Sequence, residues 1–271
     1  TNGLVNLNAN KASIVNMSLG VAGMTLDQGW NGVFSDARLA TAVRNTVYVA
    51  AAGNDGITQT QNIAWNYAAN PALIVVGSVD AAGTISSFSN RPGTACLTDG
   101  DVCKTGGALM NRFIVVPGEL LLVSDDKGGL MRASGTSFAA PLVSGTIALL
   151  HNRWPWLATK PTETVSIILG SARDLGAPGV DPVYGVGLLD VTASQSPLSF
   201  DKLSWYRKDD EGNLKSQSAS DVRRPDDLAK WQAQGKAFYA FETVGSTFRD
   251  FAIPLSTKLV GLTTATYDGS Q

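Results

Sequence analysis

The chain is poor in charge, and it is poorer still in histidine and cysteine. Only 16% of its 271 residues are Asp, Glu, Lys or Arg; 21 Lys and Arg nearly balance 23 Asp and Glu, for a formal net charge of −2. That balance leaves no basic patch, so nucleic acid is excluded as a partner. No apolar run approaches the ~18 residues of a membrane helix, and no membrane span is expected. There is no internal repeat and no long low-complexity run. Thr1 opens the chain with neither methionine nor a signal peptide, so the expectation is that those parts were removed or that the sequence is a piece of something longer. Histidine occurs once, at His151, and cysteine twice, at Cys96 and Cys103.

What is present is apolar. At 44% hydrophobic residues the chain can bury a proper core, and its length suits one large or two modest domains. Residues 12–19 read as a buried strand ending at Gly20, and the Gly-rich residues 21–32 read as a loop. Ser35 can cap a short helix over 36–44, after which 46–52 read as a parallel-type buried strand running into Gly53-Asn54-Asp55-Gly56. Strand, helix, strand in that order predicts an α/β fold with a parallel sheet. Residues 72–79 and 113–117 read as further aliphatic strands. Residues 159–169 read as a helix, with Pro161 near its start and Gly170 at its end. Ser124-Asp125-Asp126-Lys127 matches a Ser-x-x-Lys pattern, but its place before Gly128-Gly129 makes it a hairpin turn. From Pro197 the character changes. Residues 201–236 are dense in mixed charge and read as solvated hairpins or loops, and the stretches from Phe238 and from Phe248 alternate like strands. The predicted division is therefore 1–196 and a small β-rich appendage, 197–271.

One turn stands out chemically. Gly135 permits a sharp bend, and the small or aliphatic residues from Ser137 to Leu150 read as a buried helix with Ser137 in its first turn. A serine there lies beside backbone N–H groups that have no partner inside the helix, at the positive end of its dipole, where an oxyanion would be stabilised. Taken alone, Thr136 or Ser137 is an N-cap.

The eleven residues Gly135-Thr-Ser-Phe-Ala-Ala-Pro-Leu-Val-Ser-Gly145 closely resemble the nucleophile segment of the subtilisin-like serine proteases. The α/β-hydrolase elbow fits less well, because it needs glycine where Ala139 stands. The resemblance implies a subtilisin-like three-layer α/β fold, its parallel sheet incomplete at the N-terminus, with Ser137 as nucleophile. Ala51-Ala52-Gly53-Asn54 resembles the family's oxyanion segment, which gives Asn54 the role of donating its amide to the oxyanion beside the Ser137 N–H. Ser18-Leu19-Gly20, by itself a strand end, resembles the edge on which an extended substrate adds as a further strand, with Ala52 and Gly53 as the facing wall of the primary specificity pocket. Residues 85–90, Pro117-Gly118 and residues 174–190 are similar to further family segments.

Cys96 and Cys103 flank Leu-Thr-Asp-Gly-Asp-Val, a sequence suited to a hairpin tip. Cysteine pairs at this place resemble those of secreted bacterial subtilases, autotransporter passengers included, which implies a disulfide and a secreted, extracellular or cell-surface location; two unpaired buried thiols are the alternative. Asp99 and Asp101 read as a solvated turn, so no cofactor and no metal are expected, with structural calcium kept open.

Half of the chemistry is missing. A serine hydroxyl needs a base, and the base needs an orienting group. In the resembled family both precede the oxyanion segment. Only 53 residues precede Asn54, and they hold neither an Asp-Thr-Gly nor a His-Gly-Thr-His type of segment. His151 follows Ser137 by fourteen positions, roughly 21 Å along one helix, and is expected to interact with the helix C-terminus, where a partial positive charge is favourable. Asp27, Asp36 and Asp80 have no histidine to orient. The expected function is that of the C-terminal portion of a secreted serine endopeptidase acting on extended peptides, inactive alone for want of the Asp and His, whose partner would be the missing N-terminal part of the same domain. The alternatives are a non-catalytic relative that binds extended peptides, and a nicked protease whose Asp and His lie on another chain.

Overall fold

Two aliphatic runs, Val47–Ala51 and Ala72–Val79, are buried at every position, which a strand achieves only when both faces of its sheet are covered. The computed structural model describes residues 2–40, 42–69, 71–209, 211–217 and 237–254. It divides the chain into two units, Thr1–Leu198 and Ser199–Gln271. The first contains, in order, α1 (Asn2–Ala9), β1 (Ile14–Met17), α2 (Gln28–Phe34), β2 (Val47–Ala51), β3 (Ile63–Ala64), β4 (Ala72–Val79), β5 (Cys96–Asp99), β6 (Val102–Ala108), β7 (Phe113–Pro117), β8 (Leu121–Ser124), β9 (Leu130–Ala133), α3 (Thr136–Arg153), α4 (Pro161–Gly170) and α5 (Val191–Ser194).

Its centre is a four-stranded parallel sheet in the order β1-β2-β4-β7, in register from Ile14↔Val47 and Val47↔Ala72 to Val75↔Phe113. Alternation sends Tyr48, Leu73, Val75 and Phe113 to one face, where they pack with Leu26, Phe34, Ile63 and Trp65. Phe34 meets Tyr48 edge-on at 4.9 Å between ring centroids. On the same face Gly77 makes room for the Phe113 ring, since a Cβ there would stand 2.5 Å from Phe113 Cζ. The other face is covered by α3, which lies across β1, β2, β4 and β7. Its buried positions, Thr136, Ala139, Ala140, Val143, Thr146, Ile147 and Leu150, recur at the spacing of one helix face. Helices, sheet and the opposite cover make three layers. This is the expected α/β fold with a parallel sheet.

Three local readings are corrected. The expected loop 21–32 gives way to α2 from Gln28 onward, because the Asp27 side chain caps it by accepting from Gly29 N–H at 2.6 Å, and Trp30 and Phe34 stack on its inner side. The expected helix 36–44 is two short 3-10 turns, Ala37–Leu39 and Ala42–Asn45, and the cap of the first is Asp36 rather than Ser35. The strand expected over 12–19 is confined to Ile14–Met17. The hairpin at Asp125 is as expected. β8 pairs antiparallel with β9, and Asp125 Oδ1 accepts from Lys127 and Gly129 N–H at 2.9 and 2.6 Å. Cys96 and Cys103 are joined by a disulfide across the β5–β6 hairpin.

The second unit is a four-stranded antiparallel sheet, β11-β10-β12-β13, from Ser204–Lys208 (β10), Leu214–Gln217 (β11), Ala237–Val244 (β12) and Thr247–Pro254 (β13). Glu242 and Arg249 face each other across β12 and β13 as a buried ion pair, with Nε to Oε2 at 3.0 Å. The mixed-charge stretch read as hairpins lies outside the described residues over 218–236. No helix among the described residues is long and apolar enough to cross a membrane.

Candidate active site

The residues singled out by the sequence meet at one end of the sheet. β1 ends at Met17 and is followed by Ser18-Leu19-Gly20; β2 ends at Ala51 and is followed by Ala52-Gly53-Asn54. β7 leads through the β8–β9 hairpin back to Gly135, whose N–H bonds to Gly118 O at 2.9 Å. The carboxyl ends of parallel strands are where open α/β sheets place their ligands.

Thr136 organises the centre. Its N–H and its hydroxyl both donate to Asn54 Oδ1, at 2.9 and 3.0 Å, and its Oγ1 accepts from Gly53 N–H at 3.1 Å. With the amide oxygen so committed, Asn54 turns Nδ2 the other way. That nitrogen has no protein acceptor among the described residues and lies 3.4 Å from where a Cβ on Gly135 would stand. Gly135 itself has φ 151°, a conformation costly for any other residue. Ser137 follows as the second residue of α3, half-buried, its N–H among those the helix leaves unpaired. Asn54 Nδ2 and the Ser137 N–H are thus two available donors flanking the turn that carries the Ser137 hydroxyl.

The flanking edge is open. Leu19 is 65% exposed, and the N–H and C=O groups of Leu19 and Gly20 have no partners among the described residues. A Cβ on Gly20 would stand 3.8 Å from Gly53 Cα, so the two segments face each other across bare backbone. Ala52 is more deeply committed than a pocket wall requires. It is fully buried, its N–H bonds to Val76 O at 2.9 Å, and its C=O accepts from Asn90 Nδ2 at 3.0 Å.

Asn90 was not legible as a site residue, yet it holds the whole loop. Fully buried, it donates from Nδ2 to Met24 O at 3.1 Å as well as to Ala52 O, and its Oδ1 accepts from Asp55 and Ile57 N–H at 2.9 and 3.2 Å. Its backbone N–H bonds to Gly53 O at 3.1 Å. A Cβ on Gly53 would come within 2.4 Å of Asn90 Nδ2, and Gly53 has φ 99°, so only glycine fits there. Asp55 reaches back to Gly23 N–H at 2.8 Å, tying the segment beyond Gly20 to the Asn54 loop.

His151 is not brought to Ser137. Its Nδ1 lies 3.5 Å from Ser13 Oγ and its Nε2 3.2 Å from Thr164 Oγ1. Burial pushes its pKa below the ordinary 6.5. His151 sits in the last turn of α3 as expected, but its ring nitrogens face two hydroxyls and its burial disfavours the charged form. Asp27 caps α2; Asp80 closes a turn on Ala82 and Thr84 N–H at 2.9 and 2.8 Å; Asp36, held at about 2 by hydrogen bonds from Arg38, pairs with that side chain. No histidine faces any of them. Asp99, one of the two candidate calcium ligands, pairs with Lys104 at 3.0 Å.

Comparison with known proteins bears on the family of the chain. The family model described as "Subtilase family" matches residues 1–187. The chain is 32% identical over 164 residues to the Neisserial autotransporter lipoprotein NalP of Neisseria meningitidis serogroup B, a match covering 58% of this chain and 15% of that protein. To the "Extracellular protease" of Xanthomonas campestris pv. campestris it is 32% identical over 195 residues, 69% of this chain and 29% of that one. Among solved structures, the patellamide maturation protease PatA superposes with a TM-score of 0.50 at 30% identity, covering 71% of this chain and 65% of that chain. The chain thus spans less than a third of the length of these two curated relatives. A family match over residues 1–187, more than half of the sequence, together with the parallel sheet and the turn at Gly135, establishes that the chain belongs to the subtilase family.

Proposed function

We propose that this chain carries the nucleophile half of a serine endopeptidase. In this reading an extended peptide pairs with the free backbone at Leu19 and Gly20, Ser137 Oγ attacks the carbonyl presented there, and the oxyanion is met by Asn54 Nδ2 and the Ser137 N–H. The observation that carries it is the commitment of Asn54 Oδ1 to Thr136, which leaves the amide nitrogen as a donor at the turn before Ser137. Subtilisin itself loses about 10²- to 10³-fold in rate when its oxyanion asparagine is removed.

The proton of Ser137 must go to a base, and His151 lies elsewhere. The base and its orienting carboxylate would arrive on a further segment of the same domain, added beside β1, one of the two edge strands of the sheet among the described residues. The reading assigns the chemistry to side chains and backbone without a cofactor. The Cys96–Cys103 disulfide supports a secreted or cell-surface location, in keeping with relatives named as extracellular or autotransporter proteins.

A second reading, a subtilase relative that binds extended peptides without cleaving them, is favoured by the position of His151 alone. The test is the rate at which a fluorophosphonate labels Ser137 in this chain. Labelling should be far slower than in an intact serine protease, since without its base only the residual contribution of the oxyanion donors remains. Labelling at the rate of an intact enzyme would contradict the account. Sequence upstream of Thr1 carrying both the Asp and His segments would decide for the enzyme over the binder.

A further inference from the structure

Pro141 stands inside α3, four residues after Ser137. Proline has no N–H, so the Ser137 carbonyl does not receive the donor that the fourth residue onward supplies in a regular helix. The Ser18 hydroxyl takes that place. Its Oγ donates to Ser137 O at 2.8 Å, from a residue 119 positions away in the sequence.

The direction of this bond is fixed from both sides. Asn16 Nδ2 donates to Ser18 Oγ at 2.9 Å. The Ser18 oxygen is therefore an acceptor toward Asn16, and its single proton is left for Ser137 O. Ser144 Oγ, two turns along α3, lies 3.0 Å from Asn16 Oδ1 and 3.4 Å from Ala140 O, and its nearer acceptor is the Asn16 amide oxygen, which keeps Nδ2 toward Ser18. In the reverse direction Ser137 Oγ lies 3.5 Å from the Ser18 carbonyl. Strand end and helix start are thus tied reciprocally, side chain to backbone.

We infer that Ser18 is a positioning residue: its hydroxyl, filling the carbonyl that Pro141 leaves open, locks the first turn of the nucleophile helix to the edge on which the peptide pairs. The role rests on the reading of Ser137 as nucleophile. A main-chain donor at position 141 would satisfy the same carbonyl, but the helix start would then be set by the helix alone. With proline at 141, the height of the Ser137 hydroxyl is set by the strand that holds the substrate. This is the kind of placement in which a displacement of about 1 Å costs on the order of 10²-fold in rate.

Two measurements on this chain test it. The first is a double-mutant cycle of Ser18→Ala and Pro141→Ala followed by urea unfolding. With Pro141 in place, Ser18→Ala strands the carbonyl and lowers the folding constant by about five- to tenfold. In the Pro141→Ala background, where the main chain supplies an N–H, the same change lowers it by less than about twofold. Equal losses in the two backgrounds would overturn the latch. The second is the rate, per folded molecule, of Ser137 modification by a fluorophosphonate, read by intact mass with Ser137→Ala as the blank. Ser18→Ala should slow it by about tenfold, and Ser18→Thr, which keeps the hydroxyl, should restore it. A merely structural Ser18 would leave that rate unchanged, and an unchanged rate overturns the positioning role. A native chain no faster than the Ser137→Ala blank overturns the nucleophile reading and the positioning role with it, while the unfolding cycle still decides whether the latch exists.

Discussion

Replacing Asn90 by alanine removes a carboxamide that uses both of its amide protons and accepts twice at its oxygen. One of its partners, the Ala52 carbonyl, is buried with it; the other three, Met24 O and the N–H groups of Asp55 and Ile57, are part-buried. A buried group left without a partner costs about 1–3 kcal/mol, and a bond whose ends water can reach costs about 0.5–1.5 kcal/mol. The expected loss is about 3–5 kcal/mol, a large fraction of the ~5–15 kcal/mol by which a domain is stable. Urea unfolding reads it as a lowered midpoint at unchanged slope. Amide hydrogen exchange should show protection lost first at Asp55 and Ile57, the two N–H groups that Asn90 holds. Asn90→Asp is the sharper control. It keeps the two acceptor sites but turns a carboxylate toward the Met24 and Ala52 carbonyls, so it should be no better than alanine at neutral pH. A loss below about 1 kcal/mol for Asn90→Ala would show that the Asn54 loop is held by something else, and the account of the site would fail with it.

His151 gives a pH dependence. The unfolded chain takes up a proton near the ordinary 6.5, whereas burial depresses the pKa in the folded chain, so folding loses stability as pH falls below 6.5 toward the depressed value, and nothing is gained above it. Melting temperature against pH should show this slope, and His151→Gln should flatten it. Gly77→Ala puts a methyl 2.5 Å from Phe113 Cζ and 3.2 Å from Ser89 Oγ, with an expected cost of about 1–3 kcal/mol in urea; a neutral result would show that the sheet yields there. Reducing the Cys96–Cys103 disulfide, which closes a loop of sequence separation 7, should cost about 2–3 kcal/mol at most and leave the parallel sheet folded, as thermal melts with and without reductant would show.

Much of the fold was legible because it is written in local pattern. The largely aliphatic runs of β2 and β4, with no charged residue in either, read as strands buried on both faces, and the small and aliphatic spacing of α3 reads as a helix lying on them. α2 was missed because Gly29 and Gly32 argue against a helix locally. Its stability comes from the Asp27 cap and from Phe34 reaching Tyr48, fourteen residues on, and Trp65. The site divides in the same way. Ser137 and Asn54 lie in contiguous motifs and could be read, whereas Thr136 is identified only by its bonds across 82 residues to Asn54, and Asn90 by bonds spanning 33 to 66 residues. The Ser18 hydroxyl had a signal that was there to be read. A proline four residues beyond a serine in a helix announces an open carbonyl, and something must donate to it.

The outer side of β1 has a consequence for handling the protein. Parallel strands with an unpaired edge are templates for other chains, and here the edge lies beside a helix whose outward residues Pro141, Leu142, Gly145, Ala148 and Leu149 are exposed and carry no charge. Two copies can satisfy each other's backbone at that edge with little electrostatic penalty, since the formal net charge is only −2. Light scattering should therefore rise with concentration, and Leu149→Lys, which puts a charge on the exposed face of that helix, should suppress it.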